Sequence, residues 1–273
     1  MSYSTIMVHL DLDRSNDTRL RIAGNLAELF DARLLGIATA DIQPPYFMIG
    51  AAADAALEGD RTRLKSRLSD CEAEFRRVLA AYAGKLEWRS ALQTPIDFVT
   101  LNARAADLIV TGSNTEYADV TRSLNPGDLA LRSGRPVLME SPQVEWLKLN
   151  TVIVAWKDTR EARRAVNDAL PLLHKARHVI VVEFLETEDH QATIRSSVDD
   201  VANWLVRRGI SASAIATKAL IGMTDRLFML ARDEGADIII AGAYGHTRLN
   251  EWIFGGVTRS LLMQQQCCVL LSY

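Results

Sequence analysis

The residues of this chain best placed to do chemistry are a group of glycines near its end. Gly242 and Gly245 stand two residues apart, and nine residues later come Gly255, Gly256, Val257 and Thr258, with His246, Thr247 and Arg248 just after the first pair. The apolar run before Gly242 reads as a strand, and the residues after Gly255 read as the start of a helix. That setting matters because a helix amino terminus exposes unpaired N–H groups and the positive end of its dipole, while glycine lets an anion approach the backbone closely. The matching chemistry is anion binding, with phosphate as the natural guest. Thr258 would add a hydroxyl in the first turn, and His246 a donor in the loop. The same glycines could equally serve turns at the carboxyl edge of a sheet, and spacing alone does not choose between the two.

The other reactive residue types carry less. His9, His174, His178, His190 and His246 are scattered, without the Cys or carboxylate spacing of a zinc site. Cys267 and Cys268 are adjacent in an apolar run, which puts their thiols on opposite faces of a last strand, as packing rather than redox chemistry would have them. Trp156, beside Ala155 and Lys157 at the end of a predicted strand, suits either stacking on a flat ring or packing under a helix. Asp199-Asp200 reads as a solvated helix face. The chain has no Gly-x-Ser-x-Gly elbow, no Walker loop and no Gly-x-Gly-x-x-Gly after its first strand. It therefore does not read as a serine hydrolase, a P-loop NTPase or a dinucleotide dehydrogenase.

The elements that must position these residues occur twice. Ile6-Met7-Val8-His9-Leu10-Asp11 recurs as Val152-Ile153-Val154-Ala155-Trp156-Lys157, and Ala106-Asp107-Leu108-Ile109-Val110-Thr111-Gly112 recurs as Ala236-Asp237-Ile238-Ile239-Ile240-Ala241-Gly242. The offset is 146 at the first match and 130 at the second, so about 16 extra residues lie in the first copy. Asp41 to Asp60, with Pro44, Pro45 and an Ala-rich tail, reads as an insertion before a helix. Apolar runs alternate with amphipathic segments in a βαβα pattern, which implies parallel sheets covered by helices. Strands are expected near 4–10, 33–39, 85–92, 106–112 and 136–140, then near 150–156, 177–184, 210–219, 236–242 and 267–272. Ile22, Leu26, Leu29 and Phe30 mark one face of the first helix, and Val166, Leu170 and Leu173 repeat it with a break at Pro171. Domains are read at 1–143 and 149–273, with a short linker between.

Length and composition agree with two globular α/β domains. The chain has 273 residues, 48% of them hydrophobic, and 31 Lys+Arg against 34 Asp+Glu for a net charge of -3. This balance lacks the basic excess expected for nucleic acid or an anionic membrane surface. No apolar stretch approaches the ~18 residues of a spanning helix, and the start lacks the pattern of an export signal. An odd set of three cysteines reads as reduced thiols, hence a cytoplasmic chain.

Gly-x2-Gly-x9-Gly at the end of a five-stranded βα unit resembles the ATP-binding motif of universal stress proteins, and the likeness runs the whole chain as a tandem of two such domains. It implies two Rossmann-like (adenine nucleotide α-hydrolase-like) domains, each a mostly parallel five-stranded sheet covered by helices. Adenosine would lie over the carboxyl ends of the strands and the phosphates against the glycine loop. On this sequence the implied site is Gly242, Gly245, His246, Gly255, Gly256, Val257 and Thr258 for the phosphates, with Ala155, Trp156 and Lys157 bordering the nucleoside. The implied ligand is ATP or another adenine nucleotide with Mg²⁺. The family places Ser or Thr where Gly256 stands and Asp where Lys157 stands. The first copy keeps Asp11 and Gly112 but has Thr115, Asn125, Pro126 and Asp128 at the other loop positions, so it reads as degenerate.

The function expected is therefore a stress-linked sensor or binding module with, at most, slow ATP hydrolysis. Two alternatives compete: a nucleotide-independent interaction module in which both sites have decayed, and an ATP-cleaving enzyme of the adenylating type. The second wants a Ser/Gly-rich loop where Lys157-Asp158-Thr159-Arg160 stands. Each copy ends in an apolar strand, Pro136 to Met139 and Cys268 to Leu271, which would leave an open edge. The two are therefore expected to pack as an intrachain pseudo-dimer, with a homodimer also open.

Overall fold

The structure, a computed structural model, describes residues 2–42, 50–113, 124–144, 146–185, 191–218, 222–243, 256–263 and 266–273. Its first half runs β1 (Thr5–Leu10), α1 (Asp17–Phe30), β2 (Arg33–Thr39), α2 (Ala51–Val78), β3 (Leu86–Ala91), α3 (Pro95–Asn102), β4 (Leu108–Thr111), α4 (Pro126–Ser133) and β5 (Val137–Met139). The second half repeats the order as β6 (Thr151–Ala155), α5 (Arg160–Asp168), α6 (Leu170–Leu173), β7 (His178–Leu185), α7 (Gln191–Val206), β8 (Ala212–Lys218), α8 (Met223–Asp233), β9 (Ile238–Gly242), α9 (Gly256–Met263) and β10 (Cys268–Ser272). All ten strands lie where the apolar runs put them, within two residues.

These strands form one ten-stranded sheet in the order β3-β2-β1-β4-β5-β10-β9-β6-β7-β8. Neighbours are parallel within each half. The exception is the centre, where β5 and β10 pair antiparallel, Leu138 opposite Leu270. Parallel strands buried on both faces need continuous apolar sequence, which Ile6 to Leu10 and Ile238 to Ala241 supply. Alternate side chains then feed two cores, Ile6, Val8, Ile238 and Ile240 on one face, Met7, Ile109, Ile239 and Ala241 on the other. Cys268 joins the first core and Cys267 the second, as the alternation predicts. Burial pushes both thiols up to about 12, so neither is a thiolate at neutral pH.

The duplicated Asp has a duplicated job. Asp107 Oδ2 accepts from the N–H groups of Ser4 and Thr5 at 2.8 and 3.0 Å. Asp237 Oδ2 does the same for Asn150 and Thr151 at 2.7 and 3.3 Å. Each carboxylate ties the start of the fourth strand of its half to the start of the first, and so fixes the crossover that brings their carboxyl ends together.

Two local readings need correction. The Ala-rich segment 51–60 is not part of a loop insertion. It is the first stretch of α2, which has 28 residues against 16 in α7, because alanine is the best helix former and a break there is not required. Residues 43–49, including Pro44 and Pro45, lie outside the described residues. On α1, Ile22 and Leu26 are buried and Phe30 packs on the core, but Leu29 is 38% exposed. The expected break at Pro171 falls between α5 and α6, where Ala169 separates them and Pro171 starts the second.

Candidate functional site

The carboxyl ends of β6 and β9 lie side by side, with Ala155 in register with Ala241, and this edge collects most of the described candidate residues. Ala155 is half-buried and packs on the second core. Lys157 is exposed, in the loop between β6 and α5, and lies close enough to Glu183 at the end of β7 to favour its charged form. Burial outweighs that and raises the Glu183 carboxyl, whose Oε2 has no partner among the described residues. Trp156 is 8% exposed, and its Nε1–H donates to Ser197 Oγ on α7 at 2.9 Å. The ring is thus packed under a helix, supporting this edge from beneath.

Gly242 closes β9, and its missing Cβ has a clear use. A Cβ there would lie 2.7 Å from Ala162 N and Glu161 C, so the glycine lets the first turn of α5 sit directly on the strand end. That turn is fixed by Thr159, whose Oγ1 accepts from Ala162 N–H at 3.3 Å. Gly245, His246 and Gly255, like Thr247 and Arg248, lie outside the described residues. Gly256 and Val257 open α9, and Thr258 in that first turn is 6% exposed.

The equivalent edge of the first half is closed by its own side chains. Asn125 caps α4, its Oδ1 accepting from the N–H groups of Gly127 and Asp128 at 2.9 and 3.2 Å, and Pro126 has no N–H at all. Above the end of β4, where Gly112 stands, lies Arg19: a Cβ on Gly112 would meet its guanidinium. Arg19 is 3% exposed and reaches Glu140 Oε1, at the end of β5, through Nε at 3.2 Å and Nη2 at 3.0 Å. Its Nη1 donates to the His9 carbonyl and to Asn16 Oδ1. Burial raises the Glu140 carboxyl although Arg19 opposes it, and drives His9 down to about 3, with Arg19 adding to the effect. Asp11 is held within its own loop, Asp13 N–H donating to its Oδ1 at 3.0 Å.

The sequence reading missed the Arg19–Glu140 pair, although it left one signal. Arg19, Ile22, Ala23 and Leu26 share the buried stripe of α1, and an arginine there demands a buried partner. Among the described residues no group of three His, Cys, Asp or Glu could hold a metal ion, and no helix is long and apolar enough to cross a membrane.

A mostly parallel α/β sheet covered by helices defines a Rossmann-like architecture. Over nearly its whole length the chain is similar to a universal stress protein from Archaeoglobus fulgidus DSM 4304, with a TM-score of 0.72 and 15% identity, covering 98% of this chain and 95% of that one. A functionally unknown protein from Pseudomonas aeruginosa PAO1 gives a TM-score of 0.62 at 15% identity, covering 99% and 92%. At this identity the likeness is one of fold: the chain has the fold of a full-length universal stress protein. No protein-family model matches the chain, and no curated protein does.

Proposed function

We propose that the chain binds one adenine nucleotide, ATP with Mg²⁺, at the carboxyl edge of its second half, and works as a stress-linked sensor or binding module. The observation that carries this reading is the contrast between two equivalent helix starts. In α4 the Asn125 side chain already takes the free N–H groups. At the same sequence position before α9 stands Gly255, which has no side chain to do so, so the first-turn N–H groups and the Thr258 hydroxyl would be offered to an anion. Ala155 and Lys157 would border the nucleoside, while Gly242 seats α5 on the end of β9. With no described carboxylate cluster to cage it, Mg²⁺ would be carried on the phosphate oxygens and keep most of its waters.

The units of this reading are domains 1–143 and 149–273, joined as an intrachain pseudo-dimer. Support comes from the β5–β10 pairing, from Tyr3 Oη–H donating to the Asp168 carbonyl at 2.7 Å, and from Arg164 Nη2 donating to the Gly134 carbonyl at 3.3 Å.

The test is a calorimetric titration of Mg·ATP into wild type, Thr258→Ala and Gly255→Asn, the last giving α9 the cap that closes α4. One equivalent should bind. Thr258→Ala should weaken it about ten-fold or more, the value of one hydroxyl to a charged phosphate, and Gly255→Asn at least about ten-fold with the fold intact. Two equivalents, or affinity unchanged in a folded Gly255→Asn variant, would place the ligand elsewhere. No binding at millimolar ATP would favour the interaction module.

A further inference from the structure

The two halves differ in how their first long helices meet. In the first, α1 and α2 pack on one another. In the second, α5 and α7 both line a cavity of about 930 Å³. Its floor is Trp156 and Val166, both buried. Its open wall is a strip of α7: Asp200, Val201, Trp204 and Arg207. The wall thus carries two apolar side chains, Val201 and Trp204, between two charged ones.

What should cover it follows from the charges. Arg163, on the rim, is already paired with Asp158. Asp200 and Arg207 are exposed and have no side-chain partner among the described residues. They are opposite in sign and seven positions apart on one helix, hence about 10.5 Å along its axis, beyond the reach of pairs three or four positions apart. Between them stand the half-buried Val201 and Trp204, with the Arg208 guanidinium 3.6 Å over one face of the Trp204 ring. Along the helix the strip reads negative, apolar, apolar, positive. Turned end to end, it is complementary to itself.

We propose that this strip is the contact between two copies of the chain. The α7 helices would lie antiparallel across a two-fold axis beside Trp204, Asp200 facing Arg207 of the partner subunit and Arg207 facing Asp200 of the partner subunit. Such an isologous contact satisfies both charges twice, places aromatic and aliphatic surface at the centre and leaves charge at the rim. A small molecule in the groove would have to carry opposite charges about 10 Å apart to do the same. The proposal is independent of nucleotide binding, because the strip lies on the helical face of the sheet and not at the α9 start.

The test is sedimentation velocity on the intact protein from about 1 to 100 μM, a range chosen for standard interface affinities. Wild type should dimerise. Asp200→Arg and Arg207→Asp should each raise the dissociation constant at least about ten-fold, by setting like charges opposite one another. The double reversal should return it to within about three-fold of wild type, since both contacts are then restored with exchanged signs. Trp204→Ala should also give monomer. Three results would overturn the proposal: a monomeric wild type throughout the range, a dimer unmoved by the single reversals, or a double reversal that fails to recover. A monomer that carries a small molecule in native mass spectrometry would overturn it in favour of a ligand site.

Discussion

Replacing Arg19 by alanine tests whether the crevice of the first half is held shut by an ion pair. In the native chain Glu140 is 9% exposed, and its Oε1 receives both Nε and Nη2 of Arg19, at 3.2 and 3.0 Å, while Oε2 has no partner among the described residues. Deleting the guanidinium leaves that carboxylate buried and uncompensated, and strips a donor from the His9 carbonyl and from Asn16 Oδ1. Breaking a buried pair by removing one partner costs about 3–5 kcal/mol, which for a chain of this size is a fall of roughly 10 °C in Tm. The sign of the pH response is also set. Burial holds the Glu140 carboxyl above its ordinary range, and losing Arg19 raises it further. The folded variant therefore binds a proton that the unfolded chain releases, and the deficit should shrink as pH falls from 7.5 to 5.5. Urea unfolding followed by circular dichroism at both pH values measures this. The double variant Arg19→Met/Glu140→Leu should recover most of the loss, since an apolar pair leaves no buried charge. A loss below about 1 kcal/mol for Arg19→Ala would refute the reasoning, because an orphaned buried charge costs several times that.

Two further outcomes are expected. Gly242→Ala should destabilise the chain by about 2–3 kcal/mol in the same unfolding assay, because its Cβ would lie 2.7 Å from two backbone atoms of α5 that cannot rotate away; a neutral result would mean that α5 does not rest on the end of β9. His9, lowered from 6.5 to about 3 by burial and by Arg19, stays neutral when folded. The stability this carries is full above pH 6.5 and lost progressively between 6.5 and 3, about 2 kcal/mol by pH 5 at 1.36 kcal/mol per unit. His9→Gln should flatten that part of the pH profile, and an unchanged slope would show that His9 is not the group responsible.

Much of the architecture was legible because it is written in short periods. A parallel strand buried on both faces must be apolar at every position, so Ile6 to Leu10 and Ile238 to Ala241 announce themselves. The repeated Asp107 and Asp237 could be paired by eye, and their use was the same in both halves because each ties adjacent strand starts. Asn125, Pro126 and Asp128 stood out in the sequence as departures from the second loop, but the buried Arg19–Glu140 pair beside them did not. That the Asn125 amide oxygen accepts from Gly127 and Asp128 N–H is likewise a matter of local geometry that only the structure shows.

The sequence by itself determined the duplication, the strands and the βα order. These depend on residues a few positions apart and on backbone preferences that every residue carries locally. Only the tertiary structure decided that Gly242 serves the seating of α5, that Trp156 lies under α7, that Arg19 crosses 121 positions of chain to Glu140, and that α5 and α7 leave a groove. Each of these is a contact between elements brought together by the strand order, and which side chain fills a given space depends on every neighbour that reached it. No window of the sequence contains all of those neighbours.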